Sequence, residues 1–148
     1  MQNKILVVPI DGSPSSIKAL AFAIENAKLN RDKIILLNVQ AKYEVLKRAQ
    51  SFDIDNEEIK RLQKIKGLNN MAEAIEFLSG KDVPFETKVR IGIATIEITS
   101  EAKEQGARMI VIGTRGNGPV VSAVLGSVTY GVLHLASCPV TIVPLESN

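Results

Sequence analysis

The chain has no tryptophan, one cysteine and one histidine, and aromatic residues make up only 4% of its 148 residues. A core without large rings must be aliphatic, built from Ile, Val, Leu and Ala. The single Cys138 excludes an internal disulfide, and no CxxC or Cys/His pair points to zinc. With no activating base in a recognisable arrangement, Cys138 reads as a packed thiol and not a nucleophile. No apolar run approaches membrane-spanning length, and Met1-Gln2-Asn3-Lys4 runs straight into a strand. The expected location is therefore the cytoplasm, with no membrane partner. A block of one charge is missing too: 18 basic and 16 acidic residues are interspersed, for a net charge of +2. A nucleic-acid binder concentrates Lys and Arg on one face or tail. The densest stretch here, Lys60 to Lys66, is a mixed helical segment and reads as a solvated face. Nucleic acid is not an expected partner.

What is present is the balance of an ordinary folded protein, 45% hydrophobic and 23% charged. The length suits one domain over residues 1–148, enough to bury a core unaided. Ile5 to Ile10 is apolar without alternation, as expected of a strand buried on both faces of a parallel sheet. It ends at Asp11-Gly12-Ser13-Pro14, where Ser13 can cap a helix and Pro14 can open it. Ile17, Leu20, Ala21 and Ile24 follow at helical spacing. The strand–helix pattern then repeats. Lys33–Val39 reads as a second strand, and residues 56–79 as a helical stripe of Ile59, Leu62, Ile65, Leu68, Met71, Ala72, Ile75 and Leu78, with a break expected near Gly67. Val83–Arg90 is a third, more polar strand that suits a sheet edge. A helix over 95–105 stops at Gly106. Arg108–Gly113 is the fourth strand, residues 127–136 the last helix, and Pro139–Pro144 the fifth strand. Gln40–Asp55 is a long connection with weak structure. The class is α/β: an open, mostly parallel five-stranded sheet with helices on both faces.

In such sheets ligands bind beyond the carboxyl ends of the strands, where strand order reverses. Functional residues should then follow strands one, two and four, at Pro9–Ser13, Asn38–Gln40 and from Gly113 onward. The last stretch reads Gly113-Thr114-Arg115-Gly116-Asn117-Gly118, and Gly126-Ser127-Val128-Thr129 opens the next helix. Glycines let a backbone approach a ligand closely. The unpaired N–H groups at a helix start attract an anion. Ser127 and Thr129 add hydroxyls, and Arg115 a permanent cation. From spacing alone, a structural loop with a capped helix explains these residues equally well. There is no P-loop, no G-x-G-x-x-G after strand one and no G-x-S-x-G elbow.

The spacing Gly113-x-x-Gly116, nine residues, Gly126-Ser127 resembles the ATP-binding signature of the universal stress protein family. The strand ending in Asp11-Gly12-Ser13 and the segment from Cys138 to Pro144 resemble that family as well. The resemblance covers nearly the whole chain. It implies the adenine nucleotide alpha hydrolase-like fold with strand order 3-2-1-4-5 and a nucleotide across the ends of strands one and four. Carried over, it sets Pro9, Ile10 and Asp11 on the nucleoside side and Val39 against adenine through its backbone. Gly113, Arg115 and Gly116 fall along ribose and phosphates, and Gly126, Ser127, Val128 and Thr129 on the phosphates. It further implies magnesium carried by the ATP phosphates, with no metal ligands from the protein itself. It also implies a homodimer joined through the last strand at Val140 and Ile142. Two positions depart from the family pattern: Arg108 replaces a common acidic residue, and Gly131 falls inside the last helix.

Asp11 suits a turn as well as a ligand. His134 lacks a partner motif and reads as a packed or surface residue. Asp53 and Asp55 lack the rest of a calcium loop, and Ser15 and Ser16 suit helix initiation. The expected function is an ATP-binding stress-response or signalling protein with an unidentified protein partner. A slow ATPase or phosphotransfer protein is the alternative enzyme reading, against which stand the missing P-loop lysine, paired metal carboxylates and clear base. A dimerisation module without nucleotide is the third.

Overall fold

The structure, a computed structural model, describes residues 4–42, 56–114 and 125–145. Five strands form one sheet: β1 (Ile5–Pro9), β2 (Lys33–Gln40), β3 (Phe85–Ile91), β4 (Met109–Gly113) and β5 (Val140–Val143). Their order is β3-β2-β1-β4-β5, and every pairing is parallel. The helices between them are α1 (Pro14–Asn30), α2 (Asn56–Asn70), α3 (Ala72–Leu78), α4 (Ala94–Gln105) and α5 (Ser127–Leu135).

Because successive side chains of a strand point to opposite faces, one apolar run feeds two cores. Leu6, Val8, Ile34, Leu36 and Val111 pack under α1 and α3. Val7, Ile35, Leu37, Ile110 and Ile112 pack against Ile98 and Ala102 of α4 and Val132 of α5. Burial of an aliphatic side chain of this size is worth about 1.5–3 kcal/mol. That is why β1, β2 and β4 show unbroken apolar runs and occupy the middle of the sheet. The expected polar edge strand is β3, half-buried along its whole length.

The long helical stripe breaks at Met71, one turn later than the sequence suggests. There the backbone turns to φ −97° and ψ 0°, and the Met71 side chain is driven into the core with no exposure. Gly67 stays helical and has a packing role instead. A Cβ there would lie 2.6 and 2.7 Å from the γ-carbons of Val89 and 3.1 Å from Asn38 Oδ1. The face of α2 that turns inward is Ile59, Gln63 and Gly67; Leu62 and Ile65 stand outside it, more than 40% exposed. Most of the long connection after β2 lies outside the described residues.

Both departures from the family pattern have local explanations. A Cβ on Gly131 would come within 2.4 Å of Thr95 Cγ2, so glycine lets α5 cross close over α4. Arg108 grips the buried Asp32 with two guanidinium nitrogens and also donates to Asn26. This joins the entry of β4 to the entry of β2, at the end of the sheet away from the expected site.

Candidate functional site

A cleft of about 330 Å³ opens at the carboxyl ends of β1, β2 and β4, where strand order reverses between β1 and β4. Pro9, Ile10, Asp11, Val39, Gly113, Gly126, Ser127, Val128 and Thr129 all line it. Arg115 and Gly116 lie outside the described residues, as do Asp53 and Asp55. Sequence reasoning missed one wall entirely: Ala94 and Ile98 of α4, which line the cleft beside Leu37 and Ile112. An apolar helix face carries no signal that separates a ligand wall from ordinary core.

The cleft has an apolar part and a polar part. Leu37, Val39, Ala94, Ile98 and Ile112 supply the first. Val39 also presents its backbone there. In β2, Lys33 donates to Lys4 O at 2.7 Å and Leu37 O accepts from Ile10 N at 2.8 Å. Alternation therefore turns the Val39 N–H and C=O toward β1 as well. But β1 has ended at Pro9, and neither group finds a backbone partner among the described residues.

The polar part lies between two helix starts. At α1, Ser13 is an N-cap with φ −79° and ψ 155°, and its Oγ accepts from Ser16 N at 3.2 Å. Pro14 has no N–H to satisfy, and Ser16 Oγ donates to Ser13 O at 2.8 Å. Asp11 Oδ1 accepts from Ser13 N at 2.9 Å, which makes the expected turn. At α5, by contrast, Gly126 is the N-cap and offers no side chain. Gly126 N donates to Thr114 O at 2.7 Å, and Tyr130 N to Gly126 O at 3.0 Å. The N–H groups of Ser127, Val128 and Thr129 between them have no acceptor among the described residues.

Two of the expected ligand positions also make contacts within the protein. The Thr129 hydroxyl is buried and donates to Gly113 O at 2.8 Å, so its proton stitches α5 to β4 instead of pointing at an anion. Gly113 is explained by packing: a Cβ there would sit 2.2 Å from Ser15 Oγ and 2.8 Å from Ser15 O. Its lack of a side chain brings α1 down onto β4.

The α4 wall is held by charge. Arg90 of β3 donates to Glu97, Glu101 and Glu104 at 2.8 Å each, and Lys88 pairs with Glu101 at 2.9 Å. The bond to Glu104 contributes most to raising the Arg90 pKa above its ordinary value, with Glu97 and Glu101 adding to it. Burial pushes the Glu101 carboxyl up, but Lys88, Arg90 and Gln105 together outweigh it and hold the group below its usual range. Away from the cleft, His134 is exposed and meets Tyr130 edge-on at 4.5 Å. Burial pushes the Cys138 thiol up, which suits a packed thiol. Among the described residues no group of three or more His, Cys, Asp or Glu could hold a metal. No helix among them is long and apolar enough to cross a membrane.

Fold and cleft together define a doubly wound parallel α/β protein with a cleft at the topological switch point, where proteins of this architecture commonly take ligands. Comparison with known proteins is consistent with that class and narrows it. The model of the universal stress protein family matches residues 2–144, and the chain belongs to that family. The universal stress protein YxiE of Bacillus subtilis is 36% identical, covering 97% of this chain and 99% of its own. The solved structure of MJ0577, a universal stress protein of Methanocaldococcus jannaschii, superposes with a TM-score of 0.82 at 26% identity, over all of both chains. A universal stress protein from Archaeoglobus fulgidus, solved in complex with dAMP, has a TM-score of 0.68 at 20% identity and covers 96% of this chain and 98% of its own.

Proposed function

We propose that the cleft binds ATP with magnesium, and that the chain is a nucleotide-dependent stress-response or signalling protein acting as a homodimer. The observation that carries this reading is the open first turn of α5. Three adjacent N–H groups without an acceptor among the described residues, at the positive end of a helix dipole, form a cradle for phosphate oxygens. The apolar slot of Leu37, Ile98 and Ile112 is suited to a purine, and the Val39 N–H and C=O complement the ring nitrogen and amino group of adenine. Ser127 adds an exposed hydroxyl at the phosphate end. The dAMP complex of the Archaeoglobus relative supports an adenine nucleotide in this fold. Magnesium would be held by the phosphates, neutralising their charge, since the described residues offer no metal cluster of their own. The open edge of β5 would pair with a second copy at Val140 and Ile142.

The test is to denature freshly purified protein, identify any released nucleotide by chromatography, and titrate stripped protein with magnesium–ATP, ADP and AMP. Released ATP, or ATP binding with a Kd in the micromolar range (on the order of −8 kcal/mol), supports the reading. No release and no binding would leave a dimerisation module without nucleotide. Sedimentation of the same sample at several concentrations tests the dimer, and a monomer throughout would remove it.

A further inference from the structure

Asn38 is 3% exposed, yet the cleft has a use for it beyond filling space. In the β1–β2 register, Pro9 faces Leu37, and Ile10 N donates to Leu37 O. The next rung of that parallel ladder would run from Val39 N to Ile10 O. It does not form. The Ile10 carbonyl is taken instead by Asn38 Nδ2 at 2.8 Å. The Asn38 amide is itself fixed on its other side, where its Oδ1 accepts from Gln40 Nε2 at 2.6 Å. The backbone of Gly67 closes over it, so close that a Cβ would stand 3.1 Å from Oδ1.

We propose that Asn38 is a positioning residue for nucleobase selection: by occupying the Ile10 carbonyl, its amide keeps the Val39 N–H out of the sheet and available to adenine. A buried carbonyl left without a donor costs about 1–3 kcal/mol, so something must satisfy Ile10 O. If the side chain does it, the Val39 donor stays open beside its own acceptor. If the side chain cannot, the nearest candidate is the Val39 N–H, and the donor of the pair is lost. The pair reads the purine edge. Adenine offers an acceptor at N1 beside a 6-amino donor, whereas hypoxanthine offers a donor at N1 beside a 6-oxo acceptor, the reverse pattern. Selection for adenine then depends on a side chain that need never touch the base. This inference rests on the nucleotide reading for its ligand but not for its hydrogen bonds.

The experiment uses nucleotide-stripped protein, wild type and Asn38→Leu, an apolar side chain of similar size. Amide hydrogen exchange is read at Val39 and Leu37 by NMR, and binding of magnesium–ATP and magnesium–ITP by calorimetry. In the wild type, Val39 is expected to exchange at least about a hundredfold faster than Leu37, whose amide lies within the ladder. In Asn38→Leu, Val39 exchange should slow at least about tenfold, and the preference for ATP over ITP should fall about tenfold. A role in stability alone would weaken both nucleotides together and leave their ratio unchanged; that result overturns the proposal. Equal protection of Val39 and Leu37 in the wild type overturns it without any variant, which covers the case in which Asn38→Leu does not fold. If the wild type binds neither nucleotide, the proposed function fails. Slowed Val39 exchange in the variant would still support the clamp, and unchanged exchange would still overturn it.

Discussion

Two helices begin at the rim of the same cleft, and they begin in opposite ways. The start of α1 is closed: Ser13 caps it through Ser16 N, Pro14 removes a donor, and Asp11 braces the turn. The start of α5 is open: Gly126 contributes no side chain, and three N–H groups face outward without acceptors among the described residues. A glycine at the N-cap gives up only about a few tenths of a kcal/mol against a serine. Sequence makes each choice by a single residue, serine in one place and glycine in the other. The closed start belongs to the fold, and the open one to whatever enters the cleft.

The largest expected effect comes from erasing that difference. Gly126→Asp gives α5 the kind of cap that α1 already has. An aspartate there suits the helix dipole, so thermal stability should hold or rise by a few tenths of a kcal/mol. Its carboxylate would take the N–H groups and repel phosphate. Since a hydrogen bond to a charged group is worth about 1.5–3 kcal/mol, ATP affinity should fall about ten- to a hundredfold by calorimetry. Unchanged affinity would place the phosphates elsewhere.

The next effect crosses between the two helices. Gly113→Ala would press a methyl into Ser15 Oγ and its carbonyl, lifting α1 from β4. Overpacking of this kind costs about 1–3 kcal/mol, measurable as a lower midpoint in urea. Because Gly113 O also accepts from Thr129, affinity should fall along with stability.

Ser13→Ala is the converse of the first change and smaller. It uncaps α1 and should cost about 1 kcal/mol of stability, with ATP affinity within about twofold of wild type. A large loss of affinity would mean that the closed start also meets the ligand.

The smallest effect concerns the α4 wall. Glu101 has a folded-state pKa below its ordinary value, so its stabilisation is fully present above the normal carboxylate range. It is lost as pH falls through the folded value. Acid should therefore weaken the tie between α4 and β3, seen as a drop in melting temperature below about pH 4. Glu101→Gln should flatten that drop.

How much of this was legible beforehand follows the same division between local and distant causes. Ser13-Pro14 and Gly106 act on their own neighbours, and the turns they announce are where the sequence puts them. The unbroken apolar runs of β1, β2 and β4 foretell a sheet covered on both faces, because nothing else hides such runs from water. Gly126-Ser127 marks a helix start in the sequence but leaves Ser127 open as its cap, and the fold puts Gly126 in that place. What could not be read depends on residues far apart in the chain. Gly67 looked like a helix break because glycine weakens helices, yet its purpose is the approach of Val89. Gly113 and Thr129 line the cleft as expected, but their contacts with Ser15 and with each other could not be read from the sequence. Ala94 and Ile98 carry no signal in the sequence, and only the fold shows that they line a cleft. The bond from Asn38 to Ile10 O spans 28 residues and leaves no trace in any local pattern.

The most direct measurement is a titration of ¹⁵N-labelled, nucleotide-stripped protein with magnesium–ATP, followed amide by amide. Large shifts are expected at Ser127, Val128, Thr129 and Val39, with Ser15 and Ser16 at the closed start of α1 nearly still. Shifts centred on the α1 start, or none at all at saturating ATP, would contradict a phosphate site at α5.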